Sequence, residues 1–325
     1  MAADLSSPPG VLEFGRAILH DEARALDALA DGLGEQFEKA IALICGCKGK
    51  IIVSGLGKSG HVARKIAATF ASTGTTAVFL HLAEAMHGDL GMAARGDVAI
   101  LISQSGETAE LEPVIDHFQR AQIPIIAITG HAGTMLADAG TATLLLPHWA
   151  EVGPESVAPT TSTTMTLALG DALAMTVMRQ KGVTRTEFGQ LHPGGTLGAR
   201  LQPVRRLMHG GKGLPLTRDD NSMHDTVVEM TAKRLGVVGV TDRDGYLVGI
   251  ITDGDLRRNI ERGLEHTAAE FMTRDPKTMS PDDLVDDALA LFDEYKITSL
   301  FVVEDDGMGK KPVGVLHIHD CPTGR

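Results

Sequence analysis

Lys50-Ile51-Ile52-Val53-Ser54-Gly55-Leu56-Gly57-Lys58-Ser59-Gly60 is the stretch whose reading decides the fold. An unbroken apolar run of strand length passes into a glycine-rich turn, and residues 61–72 continue at helical spacing. A strand apolar on both faces must be covered on both, the condition of a parallel sheet lying between helices. The unit recurs downstream, where 77–81, 98–103, 124–129 and 142–146 are apolar runs separated by helical stretches. The pattern predicts an α/β fold, a doubly wound parallel five-stranded sheet of flavodoxin-like kind. Ahead of it, 11–44 reads as helical with glycine only around 32–34, and behind it a long helix spans about 160–181.

A second pattern follows. Val248-Gly249-Ile250-Ile251-Thr252-Asp253-Gly254-Asp255 returns 65 residues later as Val313-Gly314-Val315-Leu316-His317-Ile318-His319-Asp320. Each copy follows an apolar run and an acidic turn, and a methionine, Met208 or Met272, leads into each. Two small modules of this kind bury their open faces by stacking as a pair. The expected division is a helical segment over 1–34, the sheet domain over 35–203, and tandem α+β modules over 204–264 and 265–325.

Of the 325 residues 43% are hydrophobic and 22% charged, a globular balance that argues against long disorder. A formal charge of -12, with no Lys/Arg stripe, disfavours nucleic acid as a partner. Cys45, Cys47 and Cys321 are too few for a disulfide framework or a four-cysteine zinc site, and suit a reduced compartment. Residues 1–15 lack the basic and apolar regions of a signal peptide. No apolar run approaches the roughly 20 residues a membrane span needs. A cytoplasmic protein with no membrane partner is expected.

Ligands of such sheets bind beyond the carboxyl ends of the strands, near helix N-termini. Three loops there have chemical character. Gly55 to Gly60 fits G-x-G-x-x-G, but a dinucleotide site also needs an acid closing the second strand, where His81-Leu82 stand. A Walker loop fails as well, since Ile52 occupies the place of its first glycine. Ser103-Gln104-Ser105-Gly106-Glu107-Thr108 groups hydroxyls around a glycine as a helix opens, which reads as a phosphate cradle or an elaborate cap. Pro159-Thr160-Thr161-Ser162-Thr163-Thr164 carries more hydroxyls than one cap needs. Two such helix starts suggest a ligand with a phosphate and several sugar hydroxyls.

Titratable groups add to this. His81, Glu84, His87 and Asp89 have no established metal-ligand spacing, so a substrate-contacting loop is the better reading. His192 stands alone in the rigid turn His192-Pro193-Gly194-Gly195-Thr196-Leu197-Gly198.

Gly55 to Gly60, Ser103 to Glu110, the Thr-rich helix start and His192 to Gly198 together resemble a sugar isomerase (SIS) domain. The repeat, with Gly249-x-x-Thr252-x-x-Asp255, resembles a CBS-domain pair. With His87-Gly88-Asp89-Leu90-Gly91 added, the whole is similar to the D-arabinose 5-phosphate isomerase family. That resemblance implies an aldose–ketose isomerase interconverting D-ribulose 5-phosphate and D-arabinose 5-phosphate, whose product feeds synthesis of Kdo for lipopolysaccharide. It implies Lys58, Glu110, Glu151 and His192 as catalytic and Gly74, Thr75, His81 and His87 as substrate contacts. Ser103, Ser105, Thr108, Thr160 and Ser162 are the expected hydroxyl donors to the phosphosugar. It further implies that no cofactor is required, that zinc at His81 is inhibitory or adventitious, and that the protein is a homotetramer.

Isomerisation of this kind removes a proton beside a carbonyl, passes through an enediol and returns the proton to the neighbouring carbon. Glu110 or His192 is the expected shuttle, and Lys58 the cation that steadies the developing oxygen charge. Glu151 would relay a proton or hold another group. In CBS pairs a motif aspartate contacts the ribose of a nucleotide or nucleotide sugar, and Asp255 and Asp320 hold that place. His317 replaces the motif threonine in the second copy, and Cys321-Pro322-Thr323-Gly324-Arg325 cannot continue as a helix, so an oligomer scaffold stands ahead of a nucleotide sensor. The rival readings are an isomerase of another phosphosugar and a non-catalytic phosphosugar-binding regulator.

Overall fold

The apolar runs form strands because their faces are covered from both sides. In the computed structural model, which describes residues 10–259, 261 and 263–322, α1 (Val11–Asp31) and α2 (Glu35–Gly46) precede β1 (Ile51–Gly55). The chain continues through α3 (Gly57–Ser72), β2 (Ala77–His81), the single turn α4 (Leu82–Ala85), β3 (Val98–Ile102) and α5 (Glu112–Arg120). It then forms β4 (Ile125–Thr129), α6 (Met135–Ala139), β5 (Ala142–Leu145) and the long α7 (Thr161–Lys181). All neighbours in the sheet are parallel, in the order β2-β1-β3-β4-β5. The doubly wound, five-stranded prediction holds.

Alternate residues of the central strands serve opposite faces. Val53, Ile100 and Ile126 pack with Ile44 of α2, Phe70 of α3 and Leu173 of α7. Ile52, Ala99 and Leu101 pack with Val114 and Phe118 of α5. Helix α3 starts four residues earlier than its periodicity predicts, because the glycine loop is itself the first turn. A Cβ on Gly60 would lie 2.7 Å from the Gly55 carbonyl, so only glycine lets helix and strand approach this closely.

Asp97 fastens the amino edge of the sheet. Its carboxylate is buried and accepts the Lys50 N–H at 2.9 Å, the Ala94 N–H at 2.9 Å and the Lys50 ammonium at 2.8 Å. Burial pushes its pKa up, but Lys50 and the two backbone donors outweigh that and hold the carboxyl below its ordinary range.

The chain divides by compactness after Val183, so residues 184–203, expected with the sheet, fall with the repeat unit. They form two short helices that the periodicity does not reveal, α8 (Arg185–Leu191) and α9 (Gly195–Arg200). The repeat follows as β6 (His209–Gly210), β7 (Leu216–Arg218), α10 (Met223–Lys233), β8 (Val237–Thr241), β9 (Leu247–Thr252) and α11 (Asp253–Arg258). The second copy comprises α12 (Ala268–Phe271), β10 (Thr273–Arg274), β11 (Thr278–Met279), α13 (Val285–Tyr295), β12 (Ser299–Asp305) and β13 (Lys310–His317).

Two four-stranded sheets result, ordered β10-β9-β8-β7 and β11-β12-β13-β6. Each copy therefore takes an edge strand from the segment leading into the other, so the modules are not closed at 264/265 as contiguous halves. The repeated glycines follow from this exchange, since a Cβ on Gly249 or Gly314 would collide with the sulfur of Met272 or Met208. In the second copy a short turn, Ile318–Asp320, stands where α11 follows β9 in the first. The last three residues of the expected helix-breaking tail, 323–325, lie outside the described residues, as do 1–9 of the N-terminal segment.

Replacing Asp97 by Asn should lower the unfolding free energy by about 1–3 kcal/mol at neutral pH, the usual worth of hydrogen bonds to a buried charge. The folded pKa is depressed, so this advantage is complete above the unfolded value and disappears as pH falls through the folded one. Urea unfolding of both proteins across that range checks it, and a difference independent of pH would refute the carboxylate's role.

Candidate functional site

Helix α3 leaves β1 toward one face of the sheet and α5 leaves β3 toward the other, although β1 and β3 are neighbours. The loops leaving the two strands therefore part to opposite faces at a topological switch point, where sheets of this kind place their ligand crevice. Lys58 lies in the first turn of α3, and Glu110 in the short turn Ala109–Leu111 that precedes α5. Both are exposed, and neither has a hydrogen bond or ion pair to another side chain among the described residues. His81 closes β2 in register with Gly55 of β1.

The loop after β3 is organised by its own hydroxyls. Buried Ser103 Oγ lies 2.7 Å from Thr108 Oγ1 and 3.4 Å from Ser105 Oγ, and accepts the Gly106 N–H at 3.1 Å. Ser105 Oγ accepts the Glu107 N–H at 3.3 Å. Glu107 Oε1 accepts the Met135 N–H at 3.0 Å and ties the loop to the start of α6. The expected helix does not open at Thr108; α5 begins only at Glu112. Ser105 remains exposed and Thr108 half-buried, open to a ligand.

The Thr-rich segment is used differently. Glu151 accepts the N–H of Thr160 at 2.7 Å and of Ser162 at 3.2 Å, together with the Ser162 hydroxyl and, at 3.3 Å, the Thr160 hydroxyl. Thr163 and Thr166 hydroxyls donate to the carbonyls of Thr160 and Ser162, and Thr164 to Glu22. Thr160 and Ser162, expected to meet the sugar, are thus engaged within the chain. Burial pushes the Glu151 pKa up, but the Ser162 hydroxyl and the remaining donors prevail and keep it below its ordinary range. Glu151 is an anion capping the N-terminus of α7, where the helix dipole favours it.

Gly74 and Thr75 lie in the turn that enters β2, at the opposite edge of the sheet from Lys58, His81 and Ser103. Thr75 is buried, and its hydroxyl accepts from the Lys181 ammonium at 3.0 Å. The fold does not bring these two together with the crevice in one chain. His87 is exposed in the turn beyond α4, beside exposed Glu84 and Asp89.

The two histidines differ in tautomer. His81 Nδ1 accepts the Ala83 N–H at 3.2 Å, so its neutral ring carries the proton on Nε2. His192, in the second unit, ends α8 with Nδ1 2.8 Å from the Phe188 carbonyl, and its ring stacks on Phe188 at 4.1 Å. A carbonyl only accepts, so the neutral His192 ring bears its proton on Nδ1 and a lone pair on Nε2. A zinc-bound imidazole normally donates its second ring N–H to an acceptor. His81 instead accepts there, so it fits a zinc ion only if the Ala83 hydrogen bond is lost.

In the repeat unit, Asp255 is 6% exposed and accepts from the Thr252 N–H and hydroxyl, the Thr273 hydroxyl and Arg258. Asp320 pairs with His209 Nε2 at 2.8 Å. Glu107 as the anchor of α6 carries no local sequence signal, because its partner is 28 residues away.

Hydroxyl-rich loops at the switch point of a parallel sheet, followed by a strand-exchanged repeat, define a doubly wound sheet domain with a tandem α+β pair. The SIS domain model matches 44–176, and the CBS domain model matches 204–262 and 268–321. The chain is 44% identical over 303 residues to the arabinose 5-phosphate isomerase KdsD of Pseudomonas aeruginosa, covering 92% of each. It is 40% identical over 312 residues to KdsD of Escherichia coli K12, covering 95% of this chain and 94% of that one. A solved E. coli CFT073 protein in complex with arabinose 5-phosphate superposes at a TM-score of 0.55 with 39% identity, covering 56% of this chain and 97% of that one. This chain belongs to the arabinose 5-phosphate isomerase family.

Glu151→Gln should destabilise the protein by about 1–3 kcal/mol, and amide exchange should speed up at the start of α7. Because the folded pKa is depressed, the wild-type advantage persists above the unfolded value and fades as pH falls through the folded one. Unchanged stability and exchange would refute the capping role.

Proposed function

We propose that this chain is an aldose–ketose isomerase that interconverts D-ribulose 5-phosphate and D-arabinose 5-phosphate. The observation that carries the reading is the pair Lys58 and Glu110, unengaged opposite charges on the two loops that border the switch-point crevice. Near full-length identity to arabinose 5-phosphate isomerases supports the substrate.

In this reading Ser105 and Thr108 turn their hydroxyls to the phosphosugar, with His87 as a further contact, while buried Ser103, expected as a direct donor, holds the loop through Thr108 and the Gly106 N–H. Proton removal from C1 of the ketose gives the enediolate, and proton return to C2 gives the aldose, with no net oxidation. His192 Nε2 suits the shuttle, since the Phe188 carbonyl holds the same Nδ1–H in both protonation states. Lys58 steadies the oxygen charge, and Glu110 exchanges the hydroxyl proton. Glu151 acts through the start of α7. No cofactor is required, because hydrogen moves within one molecule. Zinc at His81 would inhibit by displacing the Ala83 contact.

The product would supply Kdo synthesis for lipopolysaccharide in the cytoplasm. No helix among the described residues is long and apolar enough to cross a membrane. A homotetramer fits two observations. Gly74 and Thr75 could reach substrate only in a neighbouring subunit's crevice, and α1 exposes Val11, Leu12 and Leu19 at 94%, 65% and 67%. The engagement of both Asp255 and Asp320 favours the repeat as oligomer scaffold over nucleotide sensor. A monomer by analytical ultracentrifugation would overturn the shared site.

Proton NMR with D-ribulose 5-phosphate in D2O tests the reaction, and arabinose 5-phosphate deuterated at C2 is expected. Turnover without deuterium would exclude proton exchange, and binding without turnover would point to a regulator. Lys58→Ala and His192→Ala should each lower kcat by roughly 10²- to 10⁴-fold. Near-normal turnover in His192→Ala would remove the assigned shuttle, and near-normal turnover in Glu110→Gln as well would leave the reaction without either expected proton carrier.

A further inference from the structure

His192 closes α8 and is followed by the turn into α9, so its position depends on how these two short helices are held. Their outer ends meet at one carboxylate. Asp286 Oδ2 accepts from Arg185, the first residue of α8, at 2.5 Å, and Asp286 Oδ1 accepts from Arg200, the last residue of α9, at 2.6 Å. Asp287 Oδ1 takes a second Arg185 nitrogen at 3.0 Å. Both acids stand in the first turn of α13, where the helix dipole favours negative charge.

The backbone stitches the same place. The chain leaving α9 hydrogen-bonds to the chain entering α13, Val204 N–H to the Asp283 carbonyl at 2.8 Å and Val285 N–H to the Gln202 carbonyl at 3.0 Å. Arg205 adds an ion pair to Asp282. Among the described residues the Arg200 Nε is buried without a hydrogen-bond partner, and the ion pair of this guanidinium is made to Asp286. The two helices bearing His192 are thus fixed to the second CBS module by acids 101 and 102 residues beyond Arg185.

We propose that Asp286 is a positioning residue for the isomerase reaction, setting the His192 imidazole through Arg185 and Arg200. This rests on the reading of His192 as the proton shuttle. Partly exposed ion pairs contribute little to global stability, so maintaining the fold gives this network no obvious task. Proton transfer, however, is steeply sensitive to geometry, and a misplacement of about 1 Å can cost on the order of 100-fold in rate.

The test is steady-state kinetics and thermal unfolding of Asp286→Asn, Asp286→Glu, His192→Ala and the Asp286→Asn/His192→Ala double variant of the full chain. Asp286→Asn should lower kcat about 10- to 100-fold with KM nearly unchanged and the melting temperature close to wild type. Asp286→Glu should recover part of the loss. In the His192→Ala background the Asn substitution should have no further effect, because both act through one group. A normal kcat in Asp286→Asn alongside a crippled His192→Ala overturns the positioning role alone. An equal loss in both backgrounds also overturns it, by placing the effect elsewhere. A near-normal His192→Ala overturns the shuttle assignment, and the positioning role with it.

Discussion

The crevice exists because the sheet reverses its direction of growth at β1. Helix α3 carries Ile66 and Phe70 to one face, while α5 carries Val114 and Phe118 to the other. Neither connection can cover the gap between the loops they leave. The glycine loop keeps α3 tight against β1, so that Lys58 is delivered at the rim rather than lifted away from it. The opposite edge is built for closure. There Asp97 ties Lys50 to β3 and Lys181 reaches Thr75.

Two hydroxyl-rich segments of similar composition have opposite fates, and the nearby glutamate decides which. Glu107 turns away from its own loop to the Met135 N–H, leaving Ser105 and Thr108 among their own kind. Glu151 turns into its loop and takes the donors of Thr160 and Ser162. A carboxylate already holding several donors at a helix N-terminus is a poor proton carrier, because taking a proton would remove one acceptor from the cap. Catalytic importance at Glu151 would then be exerted through the placement of α7.

The sheet was legible because a strand buried on both faces must be apolar along its length, and 51–53, 98–102 and 125–128 are. The repeat was legible for a related reason, since Gly249 and Gly314 each answer to a methionine from the other copy's lead-in. What stayed hidden lacks local pattern. Helices α8 and α9 are too short to show a periodic face, and β6 and β10 are two residues each. Lys58, Glu110 and Ser103 could be placed at strand ends from their spacing. The engagement of Thr160 and Ser162 by Glu151 spans at most 11 residues but crosses an irregular loop with no periodic pattern, and the Lys181 contact of Thr75 comes from 106 residues away.

The two imidazoles show how hydrogen bonding alone can divide labour between identical side chains. A protonated His81 could not accept from Ala83, so its cap is compatible only with the neutral ring, whose Nε2–H is a donor for an oxygen. His192 loses nothing on protonation, because the Phe188 carbonyl accepts Nδ1–H from either form. It can take a proton at Nε2 and return it without rearranging its surroundings, which is what an enediol mechanism asks of its shuttle once in each turnover. The stacked Phe188 ring constrains the imidazole plane. What remains to be set is the position of the pair as a whole, and that is settled at Arg185 and Arg200, where α8 and α9 meet the acids of α13.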